Sequence, residues 1–212
     1  MVDSHYKFNE IIACPISKQR MILKNDKYWS ESLKCDFNPA DMDFRILKNN
    51  IADFQKFWAW GQKDYEEWED KHYLNNPNLN LLEERESLKS VYSLLNTESY
   101  SGSIIDVGGG LGLAKYFFPN SKLFCVSDPY NFVDHLNLLK GCANLKQFKE
   151  IYPFLFDHSI NYVCSDSEYL PFLSNIADVV HMRSCIDHFL NPEAALIEAR
   201  RILKKRGHLI VG

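Results

Sequence analysis

The sequence lacks any long apolar run, and this absence limits where the chain is expected to reside. Nowhere in its 212 residues do about 18 apolar residues follow one another, which is the length that a membrane-spanning helix needs. The first residues, MVDSHYKFNEII, also lack the basic stretch followed by an apolar stretch that marks a secretory signal. The sequence therefore predicts a cytoplasmic protein without a membrane span.

The chain also lacks an excess of positive charge. Lys and Arg number 24 against 28 Asp and Glu, for a formal net charge of -4, so the overall charge would not attract the phosphates of a nucleic acid. The six cysteines are scattered, unlike the dense framework of a small disulfide-bonded protein. We expect reduced thiols and no nucleic-acid partner.

The first hundred residues divide into two segments. Residues 1–53 are rich in Lys, Asn and Asp, with alternating patches such as KYWSESLKC, and this pattern predicts a small β-rich module. Residues 54–100 are predicted as a helical lead-in, with a second helix over Leu81–Leu95. The first helix carries an aromatic stripe at helical spacing, formed by Phe54, Phe57, Trp58, Tyr65 and Trp68. Acidic residues, Glu69 among them, fall on the opposite face, so the helix is expected to pack in the core or to lie over a ligand pocket as a lid.

From residue 101 onward, strand-like and helical patterns alternate. The strand-like runs are SIIDV, KLFCVS, INYVC, ADVVHM and HLIVG, and the helical segments are LGLAKYFF, Val133–Phe148 and PEAALIEARRILKK. Parallel neighbours need a long return connection, usually a helix. Residues 101–212 are therefore predicted to form an α/β, Rossmann-like doubly wound parallel sheet, with Gly207 ending the last helix.

Glycines follow the first strand of this sheet in the run DVGGGLG. Gly108, Gly110 and Gly112 would let the backbone turn sharply and let a ligand approach the main chain. The spacing is GxGxG, not the GxGxxG of dinucleotide sites, and Asp106 stands two residues before the first glycine. An acid there would repel a pyrophosphate but could receive a cationic amino group. This charge logic favours S-adenosylmethionine as the ligand.

Acidic residues also follow the next two strands. Asp128, at the end of LFCVSDP, is placed where a carboxylate can accept hydrogen bonds from ribose hydroxyls. Asp166, in YVCSDSEYLPF, can accept from an adenine amino group, and the Ser167 amide can face a ring nitrogen. Three acids at three successive strand ends predict one cofactor-binding edge.

In these motifs the sequence resembles the class I S-adenosylmethionine-dependent methyltransferases, within the group similar to the ubiquinone and menaquinone biosynthesis enzymes. The resemblance covers residues 104–211 and rests on IIDVGGGLG, VSDP, SDSEYLPF, ADVVHMRSCIDHF and NPEAALIEARRILKKRGHLIV. It implies cofactor roles for the residues already singled out. It also implies a place beside the methyl donor for the segment Met182–Ser184, which includes Arg183.

The end of the sequence departs from the family pattern. The family sheet carries two further strands after the fifth, whereas here the chain stops at Gly212. The run HLIV would then be an exposed apolar edge, which invites aggregation. We expect either a truncated product or an edge covered by the N-terminal segment, by a partner or by a second copy of the chain.

The N-terminal segment resembles the small zinc ribbon that precedes some methyltransferase domains, including those of certain rRNA guanine methyltransferases. Such a ribbon binds zinc through two CxxC knuckles. Each knuckle here keeps only its first cysteine, because Cys14 is followed by Ser17 and Cys35 by Asn38. We expect a ribbon-like fold without a metal.

His188, in SCIDHF, is the candidate catalytic base, although it could instead hydrogen-bond neighbouring loops.

No Asn-Pro-Pro-aromatic motif of amino-methylating nucleic-acid enzymes follows ADVVHM, so the expected acceptor is a small molecule, a sugar or a lipid-linked compound. Two alternatives are a non-catalytic binding or scaffold protein of the same fold and a nicotinamide-dependent oxidoreductase. The glycine spacing and Asp106 count against the oxidoreductase.

Overall fold

The N-terminal residues form a helix followed by a small antiparallel sheet. The structure is a computed structural model that describes residues 4–25, 27–37, 42–45, 67–130, 137 and 139–212. The N-terminal elements are α1 (Ser4–Ile11), β1 (Ile22–Lys24), β2 (Lys27–Ser30) and β3 (Cys35–Phe37). The strands pair in the order β1-β2-β3, which confirms the predicted β-rich module.

The predicted helical lead-in is described only in its second part. The aromatic helix over residues 54–68 lies mostly outside the described residues, and its described end continues into a π-helical turn, Asp70–Leu74. The predicted second helix is confirmed as α2 (Leu81–Leu94). It begins after Asn80, whose side chain accepts a hydrogen bond from the Glu83 amide at 3.2 Å, because the first amides of a helix have no partner within the helix.

A five-stranded parallel sheet occupies the second half of the chain. Its strands are β4 (Ser103–Val107), β5 (Leu123–Asp128), β6 (Asn161–Cys164), β7 (Ala177–Met182) and β8 (Leu203–Val211). Their order is β6-β5-β4-β7-β8, and every pairing is parallel. The chain runs outward from β4 to one edge and then crosses to β7, so the order reverses between β4 and β7. This confirms the doubly wound α/β fold, and open sheets of this kind bind ligands at such a reversal.

Both faces of the sheet are covered by apolar side chains. One face packs against the N-terminal module, with Ile12, Phe44 and Phe172 fully buried in a common cluster. The other face packs against α2 and its neighbours, with Leu81 and Phe118 fully buried in a second cluster. Coverage on both sides explains why β4 and β5 are nearly continuous apolar runs.

Two helical predictions are corrected at their boundaries. LGLAKYFF forms only a short 3-10 helix, Leu113–Phe117, because Pro119 follows closely and disfavours helical backbone at the residue before it. In Val133–Phe148, residues 133–136 and 138 lie outside the described residues, and the helix that is described, α3 (Leu145–Ile151), extends past the predicted end.

The last predicted helix is confirmed, but it does not end at Gly207. Helix α4 (Pro192–Ile202) gives way at once to β8, and Gly207 lies within that strand. The pairing is irregular there, since Ala177 lies opposite Leu203 and Val179 already lies opposite His208. Extra residues on one strand are the mark of a bulge. The buried side chain of Leu203, 5% exposed in the core, starts the strand four residues before the glycine.

The two edges of the sheet differ. At β6, the Phe44 amide donates to the Cys164 carbonyl at 2.7 Å, and the Cys164 amide donates to the Met42 carbonyl at 2.8 Å. The described N-terminal residues therefore extend the β6 edge of the sheet. The prediction had instead allowed them to cover the opposite edge, at β8. On β8, Leu209 and Val211 are 41% and 51% exposed, and a partner or second copy at this edge stays a prediction. No helix among the described residues has the length and apolar character to cross a membrane.

Candidate functional site

The loop after β4 makes a close contact that requires glycine. Gly108 has a φ of 67°, and a Cβ atom built on it would lie 2.5 Å from Cβ of Cys185, in the loop after β7. Any side chain would push these two loops apart. Gly112 has a different task, since its Cβ would meet Ile160 at 2.9 Å and Val126 at 3.0 Å in the core. It permits packing beneath the loop and does not line the cavity described below.

Asp106 lies near the end of β4 and is 1% exposed. In the parallel register it stands opposite His181 of β7, and its Oδ1 lies 2.7 Å from His181 Nδ1. Its Oδ2 is buried, and no described residue donates a hydrogen bond to it. A buried carboxylate oxygen without a donor is costly. The geometry is that of an acceptor held ready for a ligand.

A cavity of about 150 Å³ opens beside this carboxylate. Four predicted site residues line it: Asp106, Gly108, Gly110 and Arg183. Its volume is below the roughly 300–1,000 Å³ of pockets that enclose a whole drug-sized ligand. The cavity therefore matches one end of a cofactor and not the entire molecule.

Asp128, at the end of β5, is engaged by the backbone around it. Its Oδ2 accepts a hydrogen bond from the Gly110 amide and its Oδ1 one from the Tyr130 amide, each at 3.0 Å. Burial raises the pKa of Asp128 from 3.8 to about 7, although these hydrogen bonds act to lower it. The carboxylate thus ties the glycine loop to β5, and it does not line the cavity.

Asp166 and Ser167 follow β6 and are 4% and 7% exposed. They lie beside the end of β5, because the Ser165 amide donates to the Asp128 carbonyl at 2.9 Å. The N-terminal segment reaches the same place, where Arg45 donates to the Pro129 carbonyl at 3.0 Å. Neither Asp166 nor Ser167 lines the cavity, so a cofactor that uses them would extend beyond it.

His188 lies on a short 3-10 turn after β7, Ile186–His188. Its side chain is 59% exposed, and its Nε2 lies 3.8 Å from Asp187 Oδ2. The cavity that contains Asp106 and Arg183 does not include it among its lining residues. The catalytic role of His188 stays a prediction.

The cavity is also lined by five aromatic or ionisable residues to which the sequence gave no role in cofactor binding: Trp68, Glu69, Tyr73, Glu84 and His181. Glu69 corrects a prediction, because it was expected on the solvent face and is only 2% exposed. Near it, the Tyr73 hydroxyl donates to Glu84 at 3.1 Å, and burial together with that carboxylate raises the pKa of Tyr73 to about 12. The signal for Trp68 and Glu69 was the expected lid, whose end lies at this cavity, whereas Glu84 on α2 and His181 on β7 had no such signal.

The remnant knuckle of the N-terminal module surrounds a thiol with hydroxyl groups. Cys14 Sγ lies 3.0 Å from Ser32 Oγ and accepts from the Ser17 amide at 3.4 Å. Burial acts to raise the pKa of Cys14, but hydrogen bonds from Ser17, Ser30 and Ser32 outweigh it and lower the pKa to about 7. Asn38 lies outside the described residues. The metal-free ribbon stays a prediction, which elemental analysis would check.

Comparisons with known proteins give consistent matches. A family model described as a methyltransferase domain matches residues 105–211. An uncharacterized chloroplastic methyltransferase of Arabidopsis thaliana is 30% identical over 106 residues, which are 50% of this chain and 29% of that protein. The ubiquinone/menaquinone biosynthesis C-methyltransferase UbiE of Blochmanniella pennsylvanica is 27% identical over 125 residues, which are 57% of this chain and 45% of that protein.

Among solved structures, protein PH0226 of Pyrococcus horikoshii is similar to this chain with a TM-score of 0.48 and a sequence identity of 19%. The match covers 69% of this chain and 60% of the PH0226 chain. The chain spans less than half of the length of the two curated relatives.

Proposed function

The chain belongs to the class I S-adenosylmethionine-dependent methyltransferases, and we propose that it transfers the methyl group of this cofactor to a small-molecule, sugar or lipid-linked acceptor. The family match covers half of the chain and confirms the resemblance drawn from the sequence motifs. S-adenosylmethionine, the cofactor of this family, is likewise as predicted.

One observation carries the proposal, namely that Oδ2 of Asp106, at the cavity wall, has no donor among the described residues. The amino-acid end of S-adenosylmethionine carries an ammonium and a carboxylate. Asp106 would accept from the ammonium, and Arg183, on the same cavity, would donate to the carboxylate. Both would be charge-assisted hydrogen bonds in a partly dry site, which are stronger than neutral ones. The residues present thus fit this end of the cofactor.

The adenosine end would lie toward β5 and β6. Asp128 would accept from the ribose hydroxyls, and Asp166 with the Ser167 amide would contact the adenine. The proximity of these residues to one another beside the glycine loop supports this arrangement. Gly108 and Gly110 would leave the main chain open to the cofactor between its two ends.

When bound, the cofactor supplies a methyl group that its sulfonium centre makes electrophilic. The chain contributes chiefly by holding the acceptor atom in line and by excluding water, which can lower a barrier by several kcal/mol. Trp68 and Tyr73 supply aromatic surface on the cavity. For an acceptor with a proton to lose, His188 would receive that proton, and its exposed position beside Asp187 would let it pass the proton to water.

Three features bear on the acceptor class. After β7 the sequence reads MRSCID where an amino-methylating nucleic-acid enzyme has Asn-Pro-Pro-aromatic, and the formal net charge is -4. The similarity to a C-methyltransferase of ubiquinone and menaquinone biosynthesis makes a lipid-linked acceptor the first to test.

The test is a transfer assay with S-adenosylmethionine labelled on its methyl group. The purified chain is incubated with separate pools of small metabolites, sugars, extracted lipids and total RNA, with Asp106→Asn as the matched control. We expect label in the lipid or metabolite pool with the wild type and little with the variant. Label in RNA alone would overturn the acceptor class, and no label in any pool would overturn the activity.

A further inference from the structure

Three buried side chains form a hydrogen-bonded chain that ends at the cavity. Tyr92 Oη lies 2.9 Å from His181 Nε2, and His181 Nδ1 lies 2.7 Å from Asp106 Oδ1. The three residues are 3%, 2% and 1% exposed. They come from different elements, α2, β7 and β4. The proposed function uses Asp106 but leaves the other two without a role.

The direction of each hydrogen bond follows from the donors that are present. A carboxylate only accepts, so the hydrogen between His181 and Asp106 Oδ1 lies on Nδ1, which donates. The other nitrogen of a neutral imidazole, Nε2, then accepts from the Tyr92 hydroxyl. Burial keeps that hydroxyl protonated, since it raises the pKa of Tyr92 to about 12.

The surroundings hold this arrangement in place. The Tyr92 ring stacks on Phe117 with centroids 3.9 Å apart and planes 3° apart. Phe118 lies edge-on to His181 at 5.7 Å. A side chain locked by packing keeps its hydrogen bond in one geometry. With Oδ1 occupied by His181, the other oxygen of Asp106 is the one left toward the cavity.

We propose that His181 is a positioning residue for the cofactor, acting through Asp106, with Tyr92 holding the imidazole ring in place. The Nδ1–H group holds the carboxylate in the rotation that presents Oδ2 to the ammonium of S-adenosylmethionine. This inference rests on the proposed function. A purely structural role would be met more cheaply by apolar side chains, because buried polar groups that are merely packed gain little stability.

The test compares two ligands that differ at the end in question. S-adenosylhomocysteine carries the amino-acid end, whereas methylthioadenosine keeps the adenosine and the sulfur but lacks that end. Calorimetric titration gives the affinity of each, and thermal unfolding verifies that every variant is folded. His181→Phe keeps the ring and removes both hydrogen bonds. His181→Asn can keep a donor near Nδ1, and Tyr92→Phe removes only the outer hydrogen bond.

We expect His181→Phe to weaken S-adenosylhomocysteine binding about 10- to 30-fold, since each tenfold corresponds to about 1.4 kcal/mol, and to leave methylthioadenosine binding within about twofold. His181→Asn should recover part of the loss, and Tyr92→Phe should cost about two- to fivefold for the first ligand only. His208→Phe is the matched control. It lies on β8 near Tyr100, away from the cavity, and should change neither affinity.

The outcomes separate the two claims. If the wild type binds neither ligand, the proposed function fails. If the wild type binds both and His181→Phe weakens both equally, or neither, the positioning role is overturned. If His181→Phe does not fold, Tyr92→Phe decides, because a loss confined to S-adenosylhomocysteine supports the role and an equal effect on both ligands refutes it.

Discussion

The two halves of the proposed cofactor site differ in how their carboxylates are used. At the ends of β4 and β7, Asp106 has one oxygen bonded to His181 and the other without a donor among the described residues. At the ends of β5 and β6, both oxygens of Asp128 already accept from backbone amides. The first half therefore has a carboxylate oxygen that is open to a ligand, whereas the carboxylate of the second half already binds the backbone of the glycine loop and of Tyr130.

This difference has a simple physical meaning. A buried oxygen without a donor costs folding free energy that a bound ligand can recover, so the β4 and β7 half should supply most of the discrimination between ligands. The Asp128 carboxylate instead stabilises the turn that brings Gly110 to β5. Ligand binding at the second half would add hydrogen bonds to acceptors that already have one each.

The largest effect should follow from Gly108→Val, which acts on the loop that joins the two halves. A β-branched residue would be forced to a φ of 67° with its Cβ 2.5 Å from Cβ of Cys185. Strain and overpacking each cost about 1–3 kcal/mol. We expect the free energy of unfolding to fall by about that sum, and S-adenosylhomocysteine binding to be lost in calorimetry. A folded variant with full affinity would refute the loop model.

A smaller effect is expected for Asp106→Asn, which tests the half of the site at the ends of β4 and β7. Loss of a charge-assisted hydrogen bond should weaken S-adenosylhomocysteine binding by about 2–3 kcal/mol. Asp178→Asn removes the same charge from β7 at the far end of the sheet, where Asp178 contacts Lys204, and serves as the control. Equal losses in the two variants would mean that the overall charge, not the site, governs affinity.

The third prediction concerns Asp128 and the dependence of stability on pH. Its pKa is raised from 3.8 to about 7 in the folded chain, so between these pH values the folded state holds a proton that the unfolded chain has released. Stability must then fall as the pH rises from about 4 to about 7. Relative to Asp128→Asn, the wild type should lose on the order of 2 kcal/mol between about pH 5 and pH 7.

Urea unfolding of both proteins across that range measures this difference directly. A difference that does not vary with pH would show that Asp128 titrates as an ordinary carboxyl group. The surroundings of Asp128 would then be wetter than its exposure of 6% implies.

The smallest effect on cofactor affinity is expected for His188→Ala, outside both halves. Because His188 does not line the cavity, cofactor affinity should stay within about twofold, while the rate of methyl transfer should fall by about 10²-fold or more if the residue takes the proton. The matched measurement is label transfer at saturating cofactor. An affinity loss as large as that of Asp106→Asn would place His188 in the cofactor site instead.

The sequence was sufficient for the sheet and for the residues that the chain order alone brings together. Alternating patterns predict β4 to β8, and the strand ends bring Asp106 and Arg183 to one cavity because parallel strands share an edge. Local pattern could not separate the end of α4 from the start of β8. The burial of Leu203 in the core, a tertiary effect, decides that boundary.

The partner of Asp106 was beyond the reach of sequence pattern. His181 reads as one more residue of an apolar strand, and only the register of β7 against β4 sets it opposite Asp106. Its second partner, Tyr92, lies 89 positions away in the sequence. Glu69 was misplaced for a related reason, since it is buried at the cavity beside Asp106, a tertiary contact that helical spacing does not show.

Calorimetric titration of the purified chain with S-adenosylhomocysteine, and with a nicotinamide dinucleotide as the control, shows whether Asp106 and its cavity bind this cofactor. Binding of the first ligand at one site with an affinity in the micromolar range, and none of the second, is the result that the structure predicts. A folded sample that binds the dinucleotide, or that binds neither ligand, would contradict the assignment of Asp106 and its cavity to this cofactor.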